Sequence, residues 1–265
     1  MSSEHHQLRF AYSTINWGAT CDVPLALAEI REAGWGAVEL FGHSLDVLGT
    51  PNAVRESLAG LVPATMFAGI EVPDSDLQRM KLRNQVRFAA EIGADVFGLV
   101  GGGRLRYRPP SSDEYAAVAS ISEDLARYGQ QLGVTVAYHP HVACTIETST
   151  EIQLLLDQTE ELTLCLDASH IALVDEDPIE VLDANWDRLG YVHLKDWGGG
   201  KFQELGRGTL GIDFAAILHH LVNRRFGGWV VLEQSQSDIS PLESARINAA
   251  YLTGLGYDIG WTGRE

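Results

Sequence analysis

The chain has 265 residues, 45% of them hydrophobic, with 27 Gly and 9 Pro, which suits one large α/β domain. Its formal net charge of -17 repels phosphate backbones and anionic lipid surfaces, and so argues against nucleic acid or a membrane as a partner. No segment approaches the roughly 18 apolar residues of a membrane span, there is no signal-peptide pattern, and the three scattered cysteines fit a reducing cytoplasm.

Short apolar runs alternate with helical patterns along the chain. The runs cover residues 9–15, 37–41, 64–69, 95–100, 134–139, 162–167, 189–194 and 229–233. The helical patterns cover residues 24–33, 49–60, 76–92, 112–131, 149–159, 178–186, 213–225 and 241–254. Eight strand–helix units predict a single-domain (β/α)8 TIM barrel over residues 8–265, after a flexible tail of residues 1–7. A doubly wound open sheet is the alternative, disfavoured because no Gly-rich phosphate loop follows the first strand.

The fifth apolar run ends in "AYHPH", with histidines at 139 and 141 on either side of a proline. Proline cannot donate a hydrogen bond to a β-ladder, so the strand is predicted to end near Pro140. Side chains alternate along a strand, so His139 and His141 leave on roughly the same side. The sequence therefore places two imidazoles at the carboxyl end of a strand, where TIM barrels build their active sites.

Ionisable residues also end the three strands that follow. The candidate metal ligands, one for each of strands five to eight, are His139, Asp167, His193 and Glu233. Adjacent strands lie about 4.8 Å apart, so four such side chains can converge on one point. Each residue alone also fits a structural role, such as a helix cap or an ion pair. As a set, two imidazoles and two carboxylates predict a site for Mn²⁺, Fe²⁺, Co²⁺ or Zn²⁺ rather than Ca²⁺. No organic cofactor is predicted.

Several motifs resemble those of the xylose-isomerase-like TIM barrel superfamily of sugar isomerases, epimerases and dehydratases. They are "AVELF" (37–41), "LCLDASHIALVDEDP" (164–178), "YVHLKDW" (191–197), "GRGTLGIDF" (206–214) and "GGWVVLEQSQSD" (227–238). Within the superfamily, the chain is most similar to the inosose dehydratases. The resemblance implies that Asp167, His193 and Glu233 are metal ligands. It usually places a Glu where this chain has His139. Three alternatives therefore stay open: His139 binds the metal, a water takes its place, or His141 is the ligand.

The resemblance also implies a reaction class, namely enediolate chemistry on a keto-sugar or keto-cyclitol. An imidazole in place of the usual carboxylate favours elimination of water by a dehydratase. A ketose epimerase or aldose–ketose isomerase is one alternative, and a non-catalytic barrel that binds a sugar or a partner is another. The expected ligand is a small neutral polyhydroxy ketone, and assembly into a homo-oligomer is left open.

The catalytic and substrate-binding candidates follow from that chemistry. Lys195 or a histidine is the candidate acid, and Glu39 or a histidine is the candidate base. The histidines that we consider for these roles are His141 and His170. The candidates for contacts with substrate hydroxyls are Asn16, Trp17 and Arg207.

Overall fold

The protein is a closed eight-stranded barrel in a computed structural model that describes residues 7–235 and 237–261. The strands are β1 (Arg9–Ser13), β2 (Ala37–Phe41), β3 (Val62–Ile70), β4 (Val96–Gly101), β5 (Thr135–Tyr138), β6 (Thr163–Asp167), β7 (Leu189–Leu194), β8 (Asp196–Gly198), β9 (Lys201–Gln203) and β10 (Trp229–Leu232). The barrel order is β1-β10-β7-β6-β5-β4-β3-β2, with parallel pairing. Strands β8 and β9 form an antiparallel hairpin outside the barrel. The TIM barrel prediction is confirmed.

Helices separate the strands as the sequence predicts. They are α1 (Val23–Glu32), α2 (His43–Leu48), α3 (Pro51–Leu58), α4 (Asp76–Ile92), α5 (Ser112–Leu132), α6 (Ser149–Leu156), α7 (Ala168–Leu173), α8 (Pro178–Ala184), α9 (Phe214–Asn223) and α10 (Pro241–Gly254). The pattern at 49–60 begins as a helix only at Pro51, because Gly49 ends α2 in the left-handed region and Thr50 caps α3. Within the described part of the chain, no helix is long and apolar enough to cross a membrane.

The predicted tail lies almost wholly outside the described residues. Of residues 1–7, the structure describes only Gln7, which is exposed and has no regular secondary structure. The barrel begins two residues later.

Two apolar clusters hold the barrel together. The larger cluster lies between the strands and the surrounding helices. The smaller one combines residues from all eight barrel strands, and so it fills the barrel interior. Alanines at positions 11, 37, 64 and 137 leave room there for Phe67, Tyr191 and Trp229. The polar residues discussed below lie at or just beyond the carboxyl ends of the strands, directly above this interior.

Candidate active site

The carboxyl end of the barrel holds a buried group of charged residues. This carboxylate cluster consists of Glu39, Asp167, His193, Lys195 and Glu233. The ladder places Asp167 directly opposite His193 on β6 and β7, and Lys195 follows β7 by one residue. Four strand ends thus bring three carboxylates and two basic groups together out of water. Such burial costs several kcal/mol unless the charges are paired.

Glu39 orients the ring of His193. The Nε2–H of His193 donates to Glu39 Oε2 at 3.0 Å, and the hydroxyl of Thr65 donates to the same oxygen at 2.7 Å. Glu39 is fully buried. With its proton held on Nε2, His193 has Nδ1 as the nitrogen that can bind a ligand. Nδ1 lies 3.0 Å from Glu233 Oε2 and makes no well-directed hydrogen bond to any described residue. A carboxylate behind an imidazole is the usual support of a metal-binding histidine.

Lys195 lies between two of the predicted ligands. Its Nζ is 3.2 Å from Asp167 Oδ2 and 3.0 Å from Glu233 Oε1, and the side chain is fully buried. Burial lowers the pKa of Lys195, but the two carboxylates outweigh burial and raise the pKa above its ordinary value. The ammonium is therefore a fixed positive charge.

Asp167 has a structural role as well as a place in the cluster. Its Oδ1 accepts from the backbone N–H groups of Ser169 at 2.8 Å and His170 at 3.3 Å, and so it caps α7. The cap fixes the carboxylate and turns Oδ2 toward Lys195. Both interpretations of Asp167 drawn from the sequence, as a helix cap and as a member of the polar site, therefore describe the same residue.

Three neutral imidazoles adjoin the carboxylate cluster. This imidazole cluster consists of His139, His141 and His170, whose ligand atoms lie within 4.8 Å of one another. The Nδ1–H of His139 donates to the Cys165 carbonyl at 3.3 Å, and that of His141 donates to the Val142 carbonyl at 2.6 Å. A carbonyl only accepts, so Nε2 of both rings carries a lone pair. Burial lowers the pKa of all three.

The two clusters meet at His139. Its ring centroid is 4.9 Å from that of His193 and 5.3 Å from that of His170. His141 and His170 are closer still, at 3.7 Å. Both ring nitrogens of His170 are buried, and neither has a hydrogen-bond partner in the part of the chain that the structure describes. His139 can therefore serve either the charged group or the neutral one.

The donor set fits a divalent transition metal. Among the described residues, Nδ1 of His193 and Oδ2 of Asp167 are buried without a well-directed hydrogen bond, although charged groups lie 3.0 and 3.2 Å away. Each belongs to a residue predicted as a ligand. In the metal-free site three carboxylates face two basic groups, Lys195 and His193, and the pKa of His193 is raised by Cys165 and the carboxylates despite burial. Binding of a metal through Nδ1 would release a proton from His193, and a divalent cation would then offset the remaining negative charge. Mixed imidazole and carboxylate donors suit Mn²⁺, Fe²⁺, Co²⁺ or Zn²⁺.

Two phenylalanine rings cover the buried groups. Phe67 on β3 lies 5.5 Å from the His139 ring and 5.6 Å from the His193 ring. Phe202 on the hairpin lies 4.3 Å from Lys195 Nζ and 5.4 Å from the His170 ring. Each phenylalanine also borders an open cleft, of about 440 Å³ for Phe67 and about 890 Å³ for Phe202. The two rings thus lie between the buried groups and these clefts.

The predicted substrate-binding residues fall in two places. Asn16 and Trp17 line the larger cleft together with Phe202 and Ser235. Asn16 Oδ1 accepts from the backbone N–H groups of Gln234 and Ser235, and its Nδ2 has no hydrogen-bond partner among the described residues. Arg207 is exposed, and no described contact joins its side chain to either cluster. The prediction that Arg207 binds substrate therefore finds no support in this geometry.

Sequence reasoning missed the role of Asp196 and the cover by the hairpin. Asp196 Oδ2 accepts from the backbone N–H groups of Gly206 at 3.0 Å and Gly208 at 2.9 Å. A Cβ on Gly208 would lie 1.9 Å from Asp196 Oδ1, so this position needs glycine. The "GRG" motif and the aspartate of "HLKD" thus form one structural unit. The spacing of the glycines was the sequence feature that could have indicated this contact.

The chain belongs to the xylose isomerase-like TIM barrel family, whose family model matches residues 27–255. An inosose dehydratase from Lacticaseibacillus casei is 27% identical over 63% of this chain, but the match covers 64% of that protein, just under two thirds. The rhizopine catabolism protein MocC of Rhizobium meliloti is 25% identical over 91% of this chain and 84% of its own length.

A solved structure has the same fold. The 3-keto-D-glucoside 4-epimerase YcjR from E. coli, in its apo form, superposes with a TM-score of 0.77. It is 19% identical, and the match covers 94% of this chain and all of that one. At this identity the likeness shows the fold alone.

Proposed function

We propose that the protein is a divalent-metal-dependent enzyme that acts on a keto-sugar or keto-cyclitol through an enediolate, with dehydration of an inosose as the leading reaction. The observation that carries the proposal is the Glu39–His193 pair, which holds His193 Nε2 and directs Nδ1 to within 3.0 Å of Glu233 Oε2. Several curated relatives are named inosose dehydratase. Their names favour dehydration over epimerisation or aldose–ketose isomerisation.

The proposed ligands are His139, Asp167, His193 and Glu233. Glu39 holds the Nε2 proton of His193, which leaves Nδ1 as the proposed ligand atom, and the Cys165 carbonyl holds the Nδ1 proton of His139, which leaves Nε2 as its ligand atom. This arrangement changes the role we give to Glu39. A base needs access to the substrate, whereas Glu39 is fully buried against His193 and Thr65. We therefore propose that Glu39 orients His193.

The proton-transfer groups are proposed from the imidazole cluster and Lys195. A bound divalent ion supplies Lewis acidity to the ketone oxygen of the substrate. His141 is partly exposed and neutral, and His170 has two unpaired nitrogens; one of them takes the proton from the carbon beside the carbonyl. Elimination then needs a proton donor near the departing hydroxyl, and Lys195 or the second histidine fills that role.

An epimerase or isomerase is the second candidate. Its support is the larger cleft, which Asn16 and Trp17 line together with Phe202 and which has room for an extended sugar. In that case the proton returns to carbon and no water is lost. A barrel that only binds a sugar remains the third candidate.

The decisive experiment measures product from the metal-loaded protein. Protein reconstituted with Mn²⁺ or Co²⁺ is incubated with a 2-keto-inositol in deuterated water, and ultraviolet absorbance and mass spectrometry follow the product. A dione chromophore supports the dehydratase. Deuterium in recovered keto-sugar without loss of water supports the epimerase. His193→Ala is the inactive control, and a loaded protein that gives neither product with a panel of 2-keto-inositols and ketoses contradicts both enzymatic candidates.

A further inference from the structure

The ammonium of Lys195 occupies the space between two expected metal ligands. It lies 3.2 Å from Asp167 Oδ2 and 3.0 Å from Glu233 Oε1. Asp167 ends β6 and Glu233 follows β10, while Lys195 follows β7, the strand between them. The lysine therefore bridges its two neighbouring strands at the level where a metal held by both carboxylates has to bind.

We infer that Lys195 is the resident cation of the metal-free site and that a divalent metal displaces its ammonium from Asp167 and Glu233. The inference rests on the proposed function, because it assumes that these two carboxylates are ligands. Beyond that function, the inference states that an internal cation and the metal compete for the same two carboxylates. It also explains how a buried lysine becomes available to a substrate, since the displaced Nζ has to find a new partner.

The surroundings of Lys195 support competition rather than permanent pairing. The hydroxyl of Ser235 donates to Glu233 Oε1 at 2.7 Å, so this oxygen keeps a partner when the ammonium leaves. Asp167 keeps the two backbone N–H groups that hold Oδ1. The face of Phe202 lies 4.3 Å from Nζ, on the hairpin that borders the larger cleft. An aromatic face attracts a cation, so the Phe202 ring can stabilise the ammonium after it leaves the carboxylates.

The first test measures metal affinity directly. Mn²⁺ alone is titrated into the metal-free wild type, Lys195→Met and Lys201→Met, with a chromophoric chelator as competitor. Lys201 is a matched control because it lies on the nearby hairpin and its exposed ammonium pairs with Asp238 at the surface. We expect Lys195→Met to bind Mn²⁺ at least about tenfold more tightly than the wild type, since a competing positive charge is removed. Lys201→Met should match the wild type.

The outcomes separate this inference from the proposed function. If the wild type binds no Mn²⁺, the metal site and the inference both fail. If the wild type binds Mn²⁺ but Lys195→Met binds it equally or more weakly, only the inference fails, because Lys195 then positions the carboxylates. Lys195→Arg keeps the charge, and we expect no gain in affinity from it.

A second measurement needs no substitution at the site. The chain has three lysines, Lys81, Lys195 and Lys201, so their acetylation by a reactive ester is easily mapped by mass spectrometry. We expect Lys195 to be labelled slowly without metal and at least several-fold faster with Mn²⁺, relative to the other two lysines. An unchanged or slower labelling of Lys195 in the Mn²⁺-loaded protein overturns the inference even if Lys195→Met fails to fold.

Discussion

The two halves of the site hold protons in opposite ways. In the carboxylate cluster every basic group faces an acidic partner. Burial lowers the pKa of His193, but Cys165 and the carboxylates of Glu39 and Glu233 outweigh burial and raise that pKa well above its ordinary value. In the imidazole cluster the rings face backbone carbonyls or one another, and burial lowers their pKa values. The carboxylate cluster therefore consists of charged groups, whereas the imidazole cluster consists of neutral groups that can accept a proton. One strand end, His139, joins them.

The largest expected effect comes from removing the central residue of the carboxylate cluster. His193→Ala should abolish both metal binding and turnover, because it deletes a ligand and leaves Glu39 buried without its main partner. Elemental analysis of protein purified from metal-replete medium measures this, with circular dichroism as the check on folding. A folded variant with normal metal content and turnover would show that the carboxylate cluster is not the metal site.

The matching change on the other side tests whether the halves differ in function. His141→Ala should keep the metal and lose about 10²- to 10⁴-fold in kcat, the usual contribution of a proton-transfer group. His141 is suited to the test because it is the partly exposed member of the imidazole cluster. Loss of metal from this variant, measured by the same elemental analysis, would move His141 into the ligand set.

The support behind His193 should have an intermediate effect. Glu39→Gln keeps the shape but weakens the hold on the Nε2 proton, so metal affinity should fall about 10- to 100-fold. Thr65→Val, which removes only the second hydrogen bond to Glu39, is the milder companion and should have a smaller effect in the same direction. Titration with Mn²⁺ measures both. If Glu39→Gln keeps full metal affinity yet loses turnover, Glu39 is a base after all.

The smallest effect is expected from the loop that carries His141. Arg104 donates to the carbonyls of Cys144 and Thr145 and pairs with Glu147 and Glu151, so it ties this loop to the end of β4. Arg104→Met should lower the free energy of unfolding by about 2 kcal/mol and lower kcat several-fold, while Mn²⁺ affinity stays unchanged.

A surface ion pair provides the comparison for Arg104. Arg83 pairs with Asp124 on the exposed side of the helices, and Arg83→Met should cost less than about 1 kcal/mol. Denaturant unfolding compares the two variants. Equal losses in the free energy of unfolding would mean that the Arg104 contacts stabilise the fold no more than a surface ion pair does.

The alternation of apolar runs and caps was enough to predict the barrel. The eight strands fall where the runs lie, because parallel strands covered on both faces are apolar along their length. The predicted carboxyl ends of the strands also indicated where the ionisable residues gather, because a TIM barrel has its active site at that end. The hairpin of β8 and β9 was missed because a glycine-rich stretch has no strand periodicity.

The pairing of the side chains could not be read from the sequence. Glu39 and His193 are 154 positions apart, and only ring orientation decides whether the glutamate faces substrate or supports the histidine. Lys195 and Asp196 are adjacent in sequence but serve different partners, one the ligand carboxylates and the other the glycine loop. Local pattern fixes the strand on which a residue lies, whereas tertiary contact fixes its role.

The cover formed by Phe67 and Phe202 has a kinetic consequence. No predicted ligand exposes more than 7% of its surface. An ion bound there would therefore exchange with solvent only after one of these two rings has moved. The ion captured during folding would then stay through dialysis and chromatography, and the element found in purified protein would report the growth medium as much as intrinsic preference. The residence time should shorten when the hairpin ring is trimmed.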